Sequence, residues 1–210
     1  MSITETDTSP APELADLPAL IRQWAKELGF SDAGITTADT GKHAQRLQDW
    51  LAKGYQGEME YMGHHGDKRY TPKSLVPGTT RVISVRMDYM PTPDSPKEAL
   101  TNRENAYITR YALGRDYPKL IRKRLATLAK KIDDAVSGYD HRAFVDSAPV
   151  LERALAQRAG LGWIGKNTLL LSPKAGSWFL LGEVFTNLPL PADKPTAKRH
   201  CGSCSACLDK

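Results

Sequence analysis

No cysteine occurs before position 201 of this 210-residue chain; all three fall at Cys201, Cys204 and Cys207. That distribution argues against a disulfide framework and for a reducing compartment. Also missing is any run of about 18 apolar residues, the length a helix needs to cross a bilayer. No membrane span is predicted. Residues 1–18 carry acids and prolines where a secretory leader would carry basic and then apolar residues. The expectation is a cytoplasmic protein with no membrane partner. Strong charge of either sign is lacking too, since the formal net charge is only +5. A mild positive balance permits an anionic partner such as RNA or phosphate without singling one out.

What is present suffices for one core. With 40% hydrophobic residues over this length, the chain can bury one core and a small appendage. Residues 1–15 are small, polar and proline-containing, and read as a loose tail. Asp16 can cap a helix with Pro18 in its first turn, and Leu17, Leu20, Ile21, Trp24 and Leu28 fall on one face. Gly29 ends it, and Ala33-Gly34-Ile35-Thr36 reads as a short strand. Leu47, Trp50 and Leu51 predict a second amphipathic helix closed by Gly54, its apolar side in the core.

The loop around His64 and His65 contains adjacent imidazoles, but sequence neighbours point apart, so a solvated loop is the simpler reading. Val82-Ile83-Ser84-Val85 suits a buried strand. The proline-rich residues 91–96 predict a surface loop. Ala106-Tyr107-Ile108-Thr109-Arg110-Tyr111 looks like another strand. Asp116 and Pro118 open a long helix with Leu120, Ile121, Leu125, Leu128, Ile132 and Val136 as its buried stripe. Its many lysines and arginines read as a solvated face before an RNA-backbone patch.

Ala143-Phe144-Val145 predicts a strand that runs into Asp146-Ser147-Ala148-Pro149, with a helix over 150–159. An acid between a strand end and a helix start is a common place for chemistry, but Asp146 or Ser147 could equally cap the helix. Gly160-Leu161-Gly162-Trp163-Ile164-Gly165 matches G-x-G-x-x-G in letters only. The dinucleotide fingerprint needs a strand before it and a helix after it, and here that order is reversed. The glycines are expected to end the helix and let backbone approach a large flat ligand. Residues 172–176 then connect strand-like Thr168-Leu169-Leu170-Leu171 to a strand over 177–186.

The C-x2-C-x2-C run offers zinc or an iron–sulfur cluster. Structural zinc sites usually pair two knuckles a dozen residues or more apart, although His200 could complete a Cys3His set. Three cysteines at two-residue gaps favour a [4Fe–4S] site. The ferredoxin pattern would place a fourth cysteine just past Lys210, so either the chain stops inside a cluster motif or the missing ligand comes from elsewhere.

Four strings together resemble the epoxyqueuosine reductase family: Tyr111-Ala112-Leu113-Gly114-Arg115-Asp116-Tyr117, Val145-Asp146-Ser147-Ala148-Pro149-Val150-Leu151-Glu152-Arg153, Gly162-Trp163-Ile164-Gly165-Lys166-Asn167-Thr168 and Cys201-Gly202-Ser203-Cys204-Ser205-Ala206-Cys207. The resemblance implies an α/β fold: a nitroreductase-like, cobalamin-binding catalytic domain over 16–190, then the start of a ferredoxin-like [4Fe–4S] module over 191–210. It implies reduction of epoxyqueuosine to queuosine at the wobble position of tRNA, with cob(I)alamin acting on the epoxide. Electrons would come from an external donor through [4Fe–4S] clusters, of which the family has two, and a monomer is expected.

By the same resemblance Asp146 is the proton donor, and Cys201, Cys204 and Cys207 are ligands of the first cluster. Arg69, Thr109, Lys166, Asn167, Thr168 and Leu170, with Asp146, would contact the corrin. An aspartate donor must hold its proton near neutral pH against an ordinary pKa of about 3.9, which calls for an apolar pocket. The rival readings are a corrinoid reductive dehalogenase and a non-catalytic electron-transfer module.

Overall fold

The computed structural model describes residues 13–90, 100–101, 103–104, 106–195 and 200–209. Most of the expected tail and the proline-rich loop at 91–96 therefore lie outside the described residues.

Strand β1 (Asp32–Thr37), β2 (Arg81–Asp88), β3 (His141–Phe144) and β6 (Phe179–Thr186) form a four-stranded sheet in the order β1-β2-β6-β3. Every neighbouring pair is antiparallel. The α/β expectation stands in the sense of mixed layers. The strand-end argument for Asp146, however, belongs to parallel sheets and does not carry over to this one. A separate two-stranded hairpin joins β4 (Trp163–Ile164) to β5 (Leu170–Leu171).

Helix α1 (Leu17–Glu27) and helix α4 (Tyr117–Ala135) cover one face of the sheet. Leu17, Ile21, Ile121, Leu125, Leu128 and Ile132 are fully buried there, and each full burial contributes about 1.5–3 kcal/mol. Antiparallel register puts Ala33, Ile35, Ile83, Val85 and Val184 on that same face, where they join one apolar cluster. Gly182 sits among them because a Cβ there would come within 2.9 Å of Ile121. Asp16 and Asp116 occupy the N-cap positions of these helices as expected, but neither side chain makes a capping hydrogen bond. The prolines at the helix starts do without them.

Helix α5 (Glu152–Arg158) and the β4–β5 hairpin cover the other face. The end of α5 approaches so closely that a Cβ on Gly34 would lie 2.1 Å from the Ala159 carbonyl oxygen. After β6 the chain still belongs to this body. Leu188 and Leu190 are buried, and Asp193 pairs with Arg22 and accepts the Ile35 N–H at 2.8 Å.

Two expectations need correction. Helix α2 (Lys42–Ala52) forms, but none of its residues is buried, so Leu47, Trp50 and Leu51 are a half-covered flank and not core. Residues 106–109 are not a strand: Tyr107 and Ile108 are exposed, and the segment runs into a 3-10 turn at Arg110–Ala112. β-branched and aromatic residues favour a strand only where a neighbouring strand pairs with them. Helix α3 (Pro72–Leu75) is a single turn before β2. No helix among the described residues is long and apolar enough to cross a membrane.

Candidate active site

Between α2, the turns at Glu60–Met62 and Gly66–Arg69, and the start of α5 lies an open cleft of about 410 Å³. Its walls include His43, Tyr61 and Arg69 on one side, and Asp146, Glu152 and Thr168 on the other. A recess of about 170 Å³ shares Asp146 and Glu152 with it and continues past Tyr117 and Leu180. Those last two residues also line a third hollow, about 760 Å³, edged by Arg110, Arg115 and Arg124.

Asp146 follows β3 after one buried residue, Val145, and is itself exposed. Its φ is +53°, in the left-handed region. Aspartate tolerates that region better than most residues, at a cost of about 1–2 kcal/mol. What offsets the cost is local: the Asp146 N–H donates to Glu152 Oε1 at 2.8 Å. A hydrogen bond to a charged acceptor contributes about 1.5–3 kcal/mol, a magnitude comparable to the strain it offsets. Helix α5 begins at Glu152, with Leu151 at its N-cap and no side-chain cap. Neither Asp146 nor Ser147 caps it, which removes the structural alternative for Asp146. The expected apolar enclosure is not there either, since the carboxyl stands at the cleft mouth.

Desolvation falls on its neighbours instead. Burial pushes the Glu152 carboxyl up to about 7, and the nearby Asp146 carboxylate adds to the rise. Glu183, at the centre of β6, is wholly buried and held well above the usual carboxylate range, first by burial and then by Glu152. Its register partners are Ser84 and Phe144. Neither Glu183 oxygen receives a hydrogen bond from an N–H or hydroxyl of the described residues, and the group it meets is the Glu152 carboxyl. Glu152 borders the cleft, but Glu183 is cut off from water, and its carboxyl is satisfied only by sharing a proton with Glu152. Tyr117 closes the group: burial and the facing Asp146 carboxylate raise its phenol to about 12.

Sequence reasoning missed Glu152 and Glu183. The signal for Glu183 was an acid inside the apolar run Phe179-Leu180-Leu181-Gly182-Glu183-Val184-Phe185, a residue type almost never fully buried without a partner. Glu152 carried no signal, because acids in a first helical turn are ordinary.

Of the residues singled out from sequence, the cleft brings together Arg69, Asp146 and Thr168. Arg69 donates from Nη2 to the Tyr61 carbonyl at 3.0 Å, while its Nε is buried without a partner. Thr168 stands at φ +65°, and its carbonyl accepts Arg153 Nη1 at 2.6 Å. The others lie elsewhere. Thr109 is exposed ahead of the 3-10 turn. Lys166 Nζ donates to the Cys204 carbonyl at 2.7 Å, Asn167 Oδ1 accepts the Leu169 N–H of its own loop, and the Leu170 side chain is buried in a core cluster. Gly160 does end α5 at φ +82°, but a Cβ on Gly162 would meet the Leu171 carbonyl oxygen at 2.2 Å. The close approach permitted there is to the hairpin's own partner strand.

His43, donor or acceptor to Gln157 at 3.2 Å, is pushed below its usual pKa by burial. Cys201 is half-buried, Cys204 and Cys207 are exposed, and no disulfide joins them. The loop is built of tight turns, with Cys204 N–H on the Cys201 carbonyl at 2.8 Å, and it sits against the hairpin through Lys166 and a Trp163–His200 ring contact of 4.6 Å. Among the described residues no three metal-ligating side chains converge, so the thiols do not form a cage in this conformation, nor do His64 and His65.

Residues 69–147 match the family model described as epoxyqueuosine reductase QueG, DUF1730. An epoxyqueuosine reductase from Pseudomonas aeruginosa is 56% identical over 203 residues, covering 97% of this chain and 56% of the relative. A crystal structure of an epoxyqueuosine reductase with an epoxyqueuosine-modified tRNA-Tyr stem loop superposes with a TM-score of 0.81 at 30% identity, over 94% of this chain and 52% of that one. The enzyme from Bacillus subtilis, described with an aspartate catalytic loop swung out of its active site, superposes at 0.77 with 29% identity, over 94% and 52%. A reductive dehalogenase described as B12-dependent shares the fold, with a TM-score of 0.61 at 20% identity, over 92% of this chain and 22% of that one. Over nearly its whole length the chain is similar to epoxyqueuosine reductases, and it spans about half the length of the curated relatives it matches.

Proposed function

We propose that the cleft is the corrin site of an epoxyqueuosine reductase acting on tRNA, with Asp146 as the proton donor to the opening epoxide. One observation carries the assignment: an exposed aspartate, at a positive φ, is held on the wall of an open cleft by a carboxylate bonded to its backbone. The solved relative with a catalytic aspartate loop, and the relative bound to a modified stem loop, support it.

The residues present fit a large flat group with polar edges. The cleft is open and continues into the recess beyond Asp146, and the unpartnered Arg69 Nε is a donor suited to the amide carbonyls around a corrin. Arg69 and the Thr168 loop would hold it there. Cobalamin, when bound, supplies a reduced cobalt centre that acts on an epoxide carbon, while the protein orients and protonates. Once an occupied cleft excludes water from the exposed carboxyl, Asp146 would hold a proton and supply it to the epoxide oxygen, where negative charge develops.

The donor set of Cys201, Cys204 and Cys207 fits three ligands of a [4Fe–4S] cluster: three thiols at two-residue spacing on a small-residue loop. Lys166 and the Trp163–His200 contact would keep that cluster beside the hairpin that edges the cleft. Arg110, Arg115 and Arg124 around the third hollow, with Tyr89 and Tyr111, suit the phosphates and bases of a tRNA loop.

The test is turnover of epoxyqueuosine-containing tRNA by the cobalamin-loaded protein. Asp146→Asn should retain bound cobalamin and lose at least about 100-fold in turnover. Normal turnover by that variant, with cobalamin still bound, refutes the donor role.

A further inference from the structure

We propose that Glu152 and Glu183 act as a proton-sharing carboxyl pair that positions the Asp146 turn, Glu183 donating to Glu152 while Glu152 accepts the Asp146 N–H. The proposal rests on Asp146 being the acid, and it adds Glu183, which lies behind the cleft, and Glu152, which borders the cleft but acts through Asp146.

Three placements support it. Glu183 lies on a central strand, flanked in register by Ser84 and Phe144, where no water-facing route is open to it. Glu152 meets both groups, with one oxygen 2.8 Å from the Asp146 nitrogen and its carboxyl facing the otherwise unpartnered Glu183. Asp146 keeps a positive φ, a conformation that needs an outside partner to persist. A buried glutamate in the middle of a sheet is costly, and an apolar residue would pack there without that cost. Its presence is explained if its proton is the donor that keeps Glu152 ionised and accepting.

The charged and titratable groups facing Glu152 are Asp146 from the turn, Glu183 from β6, Tyr117 from α4 and Arg153 from its own helix. Asp146 raises its proton affinity, whereas Arg153 and the bond from Glu183 lower it. Removing the Glu183 donor therefore makes Glu152 take up a proton at higher pH, which weakens its hold on the Asp146 N–H.

Two substitutions separate positioning from packing. Glu183→Gln keeps a neutral donor of the same shape, and Glu183→Leu keeps volume without a donor. In the cobalamin-loaded protein, Glu183→Leu should lower kcat about tenfold at neutral pH. Its acid limb should move to higher pH, with KM and cobalamin affinity unchanged. Glu183→Gln should restore both the rate and the acid limb. An independent readout needs no cofactor: the infrared spectrum of the purified protein at mildly alkaline pH should contain a protonated-carboxyl band that Glu183→Gln abolishes and Asp146→Asn retains. Absence of that band, or equal behaviour of the Gln and Leu variants, overturns the pair. Failure of the donor role alone leaves the band in place and instead shows as normal turnover in Asp146→Asn.

Discussion

The two faces of the sheet are made by the same strands and differ in almost everything else. On the α1/α4 side, Ile35, Ile83, Val85 and Val184 meet Ile21, Ile121, Leu125 and Leu128 with no ionisable side chain between them. On the α5 side, alternate residues of those strands are Thr36, Ser84, Arg86 and Glu183, all buried, mixed with Val82 and Phe185. Period-2 alternation separates the sets completely. The dry face supplies stability by burial, and the polar face spends part of it on groups that need partners. The cleft lies on the α5 side, walled by α2, the 3-10 turns and α5, and so holds its chemistry on a scaffold that the dry face keeps rigid.

Substitutions that respect or cross this division should behave differently. Leu128→Ala, in the dry face, should cost about 3–5 kcal/mol in denaturant unfolding while leaving cobalamin affinity unaltered. The polar face should make stability depend on pH. Glu152, raised from 4.5 to about 7, keeps a proton in the folded chain that the unfolded chain releases above pH 4.5. The folded state binds more protons in that window, so stability falls as pH rises from about 4.5 to 7, by on the order of 3 kcal/mol, and the Glu183 carboxyl, held well above its ordinary value, extends the fall beyond it. Thermal unfolding across this range should show the decline in the parent and a flatter profile in Glu152→Gln. His43, shifted the other way, opposes it by losing stability as pH falls below 6.5.

A smaller effect comes from the same face. Glu183→Leu should raise stability by about 1 kcal/mol at neutral pH, the reverse of what truncation does on the dry face, while lowering turnover. Smallest is Arg22→Ala, which breaks the half-exposed pair with Asp193. A loss of about 0.5 kcal/mol, diminished by salt, should appear in the same unfolding measurement.

The dry face was legible in the sequence because it obeys simple periodicity. Leu17, Ile21, Ile121, Leu125 and Leu128 recur at helical spacing, and each is buried where the pattern put it. Asp146 was singled out by the string around it, whereas the strand-end argument failed on an antiparallel sheet, and its positive φ and its bond to Glu152 carried no pattern. Periodicity failed where a partner was needed. Tyr107 and Ile108 look like strand residues but pair with no strand, and Trp50 lies on an apolar stripe that stays half-covered. Glu183 failed for a different reason. Its side chain is explained only by Glu152, which is 31 residues earlier in the numbering and approaches across a sheet face. The glycines of 160–165 were placed rightly at the helix end, but the surface they approach is the chain's own strand, a contact set by the hairpin register.

The assignment of the α5-side cleft turns most directly on an absorbance titration of the purified protein with cobalamin. Binding is expected in the parent. A loss of about tenfold in affinity is expected in Arg69→Ala, and no change in Lys123→Ala on the far side of α4. A parent protein that leaves the cobalamin spectrum unchanged at saturating concentration would contradict it.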